Sequence, residues 1–139
     1  MVVSSVSSEQ TVLLGEKIGS QLKQGDIVSL VGPLGSGKTT LVKGIAKALE
    51  IEEEITSPSF TLISEYMGSL PLYHMDLYRI DSIDEFELTG AEELMYDRGV
   101  TVIEWAEKIE EHLPKTAISL VFSLSENLQR IVEIEGVEL

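Results

Sequence analysis

A chain of 139 residues with 24 acidic and 10 basic side chains carries a formal charge of −14, at 43% hydrophobic and 24% charged content. A chain of this length buries roughly 70% of its accessible surface on folding, which excludes a disordered polyanion and removes any need for metal or disulfide staples. The charge also excludes a phosphate backbone as the main direct partner, because nucleic-acid affinity comes from Lys and Arg neutralising phosphates. Cysteine is absent, so disulfide and thiolate chemistry are absent too. No run approaches the roughly 18 apolar residues of a membrane span, and the opening Met1-Val2-Val3-Ser4-Ser5 lacks a basic or long apolar leader. The expectation is a cytoplasmic protein with neither membrane nor DNA as partner.

The acidity is uneven. Residues 1–49 hold three acids (Glu9, Glu16, Asp26) and five lysines, net +2, whereas residues 50–139 hold 21 acids and five bases, net −16. No Pro/Gly/Ser linker separates the two parts, so residues 1–139 are expected to form one domain.

A short strand is predicted over 2–6. Leu14, Ile18 and Leu22 follow at i, i+4 and i+8 behind Ser7 and Ser8 as candidate N-caps, which predicts an amphipathic helix ending before Gly25. Ile27-Val28-Ser29-Leu30-Val31 is a β-branched, nearly continuous apolar run, the pattern of a buried parallel strand. It runs into glycines, and residues 38–49 then place Leu41, Ile45 and Leu49 on one helical face. Strands are predicted at 60–66, 72–76, 100–105, 117–123 and 130–135, and helices at 83–97 and 105–112. This order predicts an α/β fold of the P-loop NTPase kind, a three-layer sandwich with a mostly parallel central sheet and added antiparallel strands.

Gly32-Pro33-Leu34-Gly35-Ser36-Gly37-Lys38-Thr39 matches G-x-x-x-x-G-K-[ST] in full. It lies between the predicted strand and helix, where backbone N–H groups and a helix N-terminus converge on a polyphosphate. Gly35 and Gly37 let the backbone curl, Lys38 reaches the β- and γ-phosphates, and the Thr39 hydroxyl ligates Mg²⁺. Such a site needs carboxylates at the C-terminal ends of neighbouring parallel strands. Two strands end that way: Leu72-Tyr73-His74-Met75-Asp76 and Val100-Thr101-Val102-Ile103-Glu104. Asp76 resembles a metal carboxylate, and Glu104 would hold Mg²⁺ through water or orient an attacking water.

Thr56-Ser57-Pro58-Ser59-Phe60-Thr61 is rich in hydroxyls, and Pro58 holds Ser57 extended. It reads either as a switch segment offering Thr56, Ser59 and Thr61 to metal and γ-phosphate, or as a polar turn. His74 shares a strand face with Asp76 and is either its hydrogen-bond partner or a core histidine. His112 near a helix end needs no functional role. Trp105 follows Glu104 on the opposite strand face, a position for core packing. The cluster Asp81, Asp84, Glu85, Glu87, Glu92, Glu93 is either a solvated face or a docking surface for a basic partner.

Absences narrow the nucleotide class. The lone Asn127 is followed by Leu128-Gln129, so no N-K-x-D guanine-reading motif exists. Only Arg79, Arg98 and Arg130 are available to line a kinase lid.

The blocks at 32–40, Thr-Ser-Pro-Ser-Phe-Thr-Leu (56–62), Tyr-His-Met-Asp-Leu-Tyr-Arg (73–79), Glu-Leu-Thr-Gly (87–90) and Ile-Glu-Trp (103–105), then Leu113-Pro114, together resemble the bacterial TsaE (YjeE) family. Ser59, Met75 and Ala106 depart from the family pattern, where Thr, Phe and Pro are usual. The resemblance implies a small ATPase needed for threonylcarbamoyladenosine in tRNA, acting through a TsaB–TsaD complex and touching tRNA only indirectly. It implies ATP and Mg²⁺ as cofactors, bound by Leu34, Gly35, Ser36, Gly37, Lys38, Thr39 and Thr40. Lys38, Asp76 and Glu104 would be catalytic, with Thr39, Asp76 and Glu104 at the metal and Trp105 placed functionally beside them. Arg130 resembles a family position, and it or the segment around Thr11 would contact the base. Two other readings stay open: a nucleotide-dependent binding module with incidental turnover, and a small-molecule kinase.

Overall fold

The computed structural model describes residues 1–58 and 62–139. The elements are β1 (Val2–Ser5), α1 (Ser8–Gly19), β2 (Ile27–Val31), α2 (Lys38–Ala48), β3 (Ile63–Tyr66), β4 (Leu72–Asp76), α3 (Ile83–Leu88), α4 (Ala91–Leu94), β5 (Val100–Glu104), a 3-10 helix (Ala106–His112), β6 (Ile118–Leu124) and β7 (Arg130–Glu135). The strands form one sheet in the order β1-β7-β6-β2-β5-β4-β3. Its four middle strands, β6, β2, β5 and β4, run parallel, while β7, β1 and β3 add antiparallel at the edges. The expected α/β architecture is therefore the one found.

Alternation along the middle strands divides the core into two layers. Val28 and Leu30 of β2 and Val100 and Val102 of β5 pack with α1 and α2. Ile27 and Ile103 pack on the other face with α3, α4 and the 3-10 helix. The Leu41, Ile45 and Leu49 face is buried as its spacing requires. At the start of α1, the Ser7 hydroxyl accepts from Gln10 N at 3.2 Å while Gln10 Oε1 accepts from Val6 N at 2.8 Å, a reciprocal cap.

Several boundaries differ from expectation for local reasons. The helix expected over 83–97 is two short helices, because Gly90 takes φ 73° and the Thr89 hydroxyl bonds Phe86 O and Ala91 N in place of the helical ladder. The strand expected over 100–105 stops at Glu104, since Trp105 turns left-handed (φ 61°), and the helix after it is 3-10. Helix α1 ends at Gly19, leaving Leu22 buried in the following turn. The early part of the 60–66 strand falls outside the described residues.

Helices α1 and α2 meet backbone to backbone. A Cβ on Gly44 would lie 2.0 Å from Val12 O, and one on Gly15 would lie 2.2 Å from Leu41 O. Neither neighbour is a flexible side-chain tip, so the helices must separate to admit a methyl group. Gly44→Ala is expected to cost about 1–3 kcal/mol in urea unfolding; an unchanged midpoint would show that the contact is slack.

Candidate functional site

The site begins where β2 runs out. The chain leaves Val31, curls through residues 32–37 and enters α2 at Gly37, which has φ 102° and supplies no side-chain cap. The first-turn N–H groups of α2 thus lack the usual capping oxygen and constitute a place for an anion. Within the loop, Ser36 is buried, and its hydroxyl donates to Pro33 O at 2.7 Å, so Ser36 serves the loop's own shape. Leu34 stands exposed at the tip.

Below the loop, Lys38 is buried. Its Nζ donates to Gly32 O at 2.6 Å and lies 3.7 Å from the centroid of the Trp105 ring. The Thr39 hydroxyl sits 3.2 and 3.1 Å from the two carboxylate oxygens of Glu104. Asp76 is directly opposite Glu104 in the β4–β5 register. Its Oδ2 accepts from the Ser57 hydroxyl at 2.8 Å and its Oδ1 from Tyr78 N at 2.9 Å. Of these groups all but Gly32, Pro33 and Ser36 border one open cavity of about 410 Å³, with Gly35, Thr40, Arg79 and Arg130 also on its wall.

The motif residues and both strand-end carboxylates are therefore brought together, but other expectations land elsewhere. Trp105 packs only partly against the second core layer and also forms the cavity wall between Lys38 and the Tyr78 ring, whose centroid is 5.1 Å away. His74 bonds not Asp76 but Glu104, with Nε2 at 2.6 Å from Oε2. Thr11 is fully buried, its hydroxyl 2.7 Å from that of Ser5, and is not among the residues bordering the cavity. Thr56 is exposed beside the cavity and gives its backbone N–H to Tyr66 Oη at 3.5 Å. Ser59 and Thr61 lie outside the described residues.

Ser57, Tyr78 and Arg79 were not anticipated. The Asp76-x-Tyr78 spacing did carry a signal, because an Asp side chain often caps the backbone N–H two residues on.

The oxygen-only set of Thr39, Glu104 and Asp76 suits a hard divalent cation. No group of three or more His, Cys, Asp or Glu that could hold a metal is found among the described residues. Mg²⁺ needs none, since it is usually held by one or two carboxylates together with substrate phosphates. The residues present fit Mg²⁺ in that role.

Fold and site together define a P-loop-like α/β protein. Its sequence matches the family model for "Threonylcarbamoyl adenosine biosynthesis protein TsaE" over residues 5–132. It is similar to the tRNA threonylcarbamoyladenosine biosynthesis protein TsaE of Treponema pallidum, 47% identical over 116 residues, covering 84% of this chain and 86% of that one. The protein of the same name from Bacillus subtilis is 40% identical over 134 residues, covering 96% and 84%. The crystal structure of Bacillus subtilis YdiB superposes with a TM-score of 0.76 at 36% identity, covering 96% of this chain and 83% of that one. The chain belongs to the TsaE family.

Burial pushes the Lys38 ammonium below its ordinary 10.5, the loss of water outweighing the pull of Glu104, Glu107 and Asp76. Over the window just below 10.5 the unfolded chain then holds more of this proton than the folded one, so Lys38 makes folding more favourable as pH rises. Lys38→Met removes that contribution. In urea unfolding at matched pH, wild-type stability is expected to gain on that of the variant from neutral pH toward 10.5; a flat or falling difference contradicts the burial argument.

Proposed function

We propose that this protein binds and hydrolyses Mg²⁺-ATP in the cytoplasm, in service of threonylcarbamoyladenosine formation in tRNA, by engaging a TsaB–TsaD-like transferase complex. The observation that carries the reading is the meeting of Thr39 with Glu104 at 3.1 Å, beside a buried Lys38 that faces an uncapped helix start. A lysine, a hydroxyl and two carboxylates at this end of a parallel sheet are what phosphoryl transfer to water requires.

In this reading the loop N–H groups and Lys38 grip the phosphates, and Arg79 and Arg130 add positive charge at the cavity wall. Bound Mg²⁺, held by Thr39 with Glu104 or Asp76, supplies charge neutralisation at the transferring phosphoryl group. The carboxylate not on the metal orients the attacking water. Trp105 and Tyr78 form an aromatic wall that limits solvent at the reacting end. ATP is favoured over GTP because the sequence has no N-K-x-D motif. The names of the relatives support the tRNA modification. The net −16 over residues 50–139 supports a protein partner that handles the tRNA itself.

Two substitutions separate binding from turnover. Lys38→Ala is expected to weaken ATP binding by about tenfold or more, the loss of one charge-assisted contact. Glu104→Gln is expected to keep nucleotide binding measured in EDTA and lose about 100-fold or more in hydrolysis. Introduced into a host depleted of its own TsaE, both should fail to restore threonylcarbamoyladenosine in tRNA nucleoside analysis. Full restoration by a Glu104→Gln protein that hydrolyses nothing would leave the chain a nucleotide-dependent binding module.

A further inference from the structure

Glu104 has three side-chain torsions, the last of them broad, so its place on β5 does not by itself aim its carboxylate. A neighbouring strand does so. His74 on β4 faces the same side of the sheet, and its Nε2 meets Glu104 Oε2 at 2.6 Å, with the imidazole fully buried and the carboxylate nearly so. The other ring nitrogen, Nδ1, is the one buried side-chain polar atom without a hydrogen-bond partner among the described residues.

That orphan assigns the tautomer. With the proton on Nε2, the carboxylate accepts a hydrogen bond and Nδ1 is a bare nitrogen needing no acceptor. With the proton on Nδ1, a buried N–H would go unanswered while two lone pairs faced each other across 2.6 Å. Packing alone does not account for an imidazole here, since an apolar side chain of similar volume would fill the space without an unpaired nitrogen.

We propose that His74 is a positioning residue: its Nε2–H pins Oε2 of Glu104 and so holds both carboxylate oxygens within 3.2 Å of the Thr39 hydroxyl, so that the carboxylate meets Mg²⁺ already oriented. The inference rests on the Mg²⁺-ATP reading and assigns within it what aims the carboxylate. Groups that orient a metal carboxylate typically matter by about 10–100-fold in metal affinity or activity.

Two polar variants test it. The amide nitrogen of His74→Gln reaches the place of Nε2 and keeps the donor, whereas that of His74→Asn reaches only the place of Nδ1 and loses it. ADP binding in EDTA, ADP binding and ATP turnover across a Mg²⁺ titration, and melting temperature are measured on wild type and both variants. The expected result for His74→Asn is unchanged ADP binding in EDTA, about 10–100-fold more Mg²⁺ needed for tight binding, and a fall in kcat larger than any change in KM at saturating Mg²⁺. His74→Gln should recover most of the loss. Wild-type Mg²⁺ dependence in His74→Asn overturns the proposal. So does a loss that is equal with and without Mg²⁺, or that tracks melting temperature in both variants, for that is a structural role. Wild-type protein whose nucleotide binding ignores Mg²⁺ overturns the Mg²⁺-ATP reading itself, and this inference with it.

Discussion

The parallel pairing of β2 with β5, which sets Leu30 opposite Glu104, is the constraint on which both the core and the site rest. Side chains alternate along a strand, so Glu104 shares its face with Val100 and Val102, and those valines are buried under α1 and α2. The glutamate therefore emerges on the side from which α2 starts, and Thr39 at the head of that helix comes within 3.1 Å of it. A one-residue slip would turn the valines toward the α3 layer and carry Glu104 to that face in the same movement. The hydrophobic pattern that stabilises the sheet is thus what holds hydroxyl and carboxylate together.

Around that junction the chain accepts local costs. Trp105 takes a left-handed conformation (φ 61°, ψ 38°) that a bulky residue adopts at a cost of roughly 1–2 kcal/mol. Its N–H bonds Leu30 O at 3.1 Å, and its ring lies against Lys38 and Tyr78. The ring packs partly against the α3 layer and also puts an aromatic face on the cavity. Two carboxylates opposite each other and a desolvated lysine add to the cost. The two core layers and the close contact of α1 with α2 offset it, in keeping with the general trade between stability and activity.

Much of this was legible from residue spacing. Apolar runs located β2, β4 and β5, the 3.6-residue period located the buried face of α2, and the glycine-rich motif located the loop. What escaped was what depends on geometry between strands. His74 and Asp76 are two apart on one strand and share a face, which leaves His74 as either a partner of Asp76 or a core histidine. But Asp76 is engaged by Ser57 and Tyr78 N, and Glu104 on the adjacent strand comes nearer to the imidazole. Strand period alone does not rank a cross-strand neighbour above a same-strand one. Thr11 is a different case. Residues 11, 14 and 18 fall at i, i+3 and i+7, so the helical period itself assigns Thr11 to the buried side of α1, where it is found.

The topology also reworks the charge. By position in the chain, the positive half is residues 1–49, yet the cavity draws Arg79 from the turn after β4 and Arg130 from the start of β7, both in the strongly acidic part. The Arg130 side chain lies so close to the loop that a Cβ on Gly37 would stand 2.9 Å from its Cδ. Lys38, Arg79 and Arg130 thus form a basic pocket within a protein whose net charge is −14. These fields act over different ranges. At physiological salt charges are screened beyond about 8 Å, so a small polyanion inside the cavity meets a wall on which the three cations outnumber the carboxylates of Asp76 and Glu104. An extended polyanion laid across the surface would meet the carboxylates of the whole molecule as well. A charge distribution of this kind favours a small polyanion in the cavity over an extended one laid across the surface.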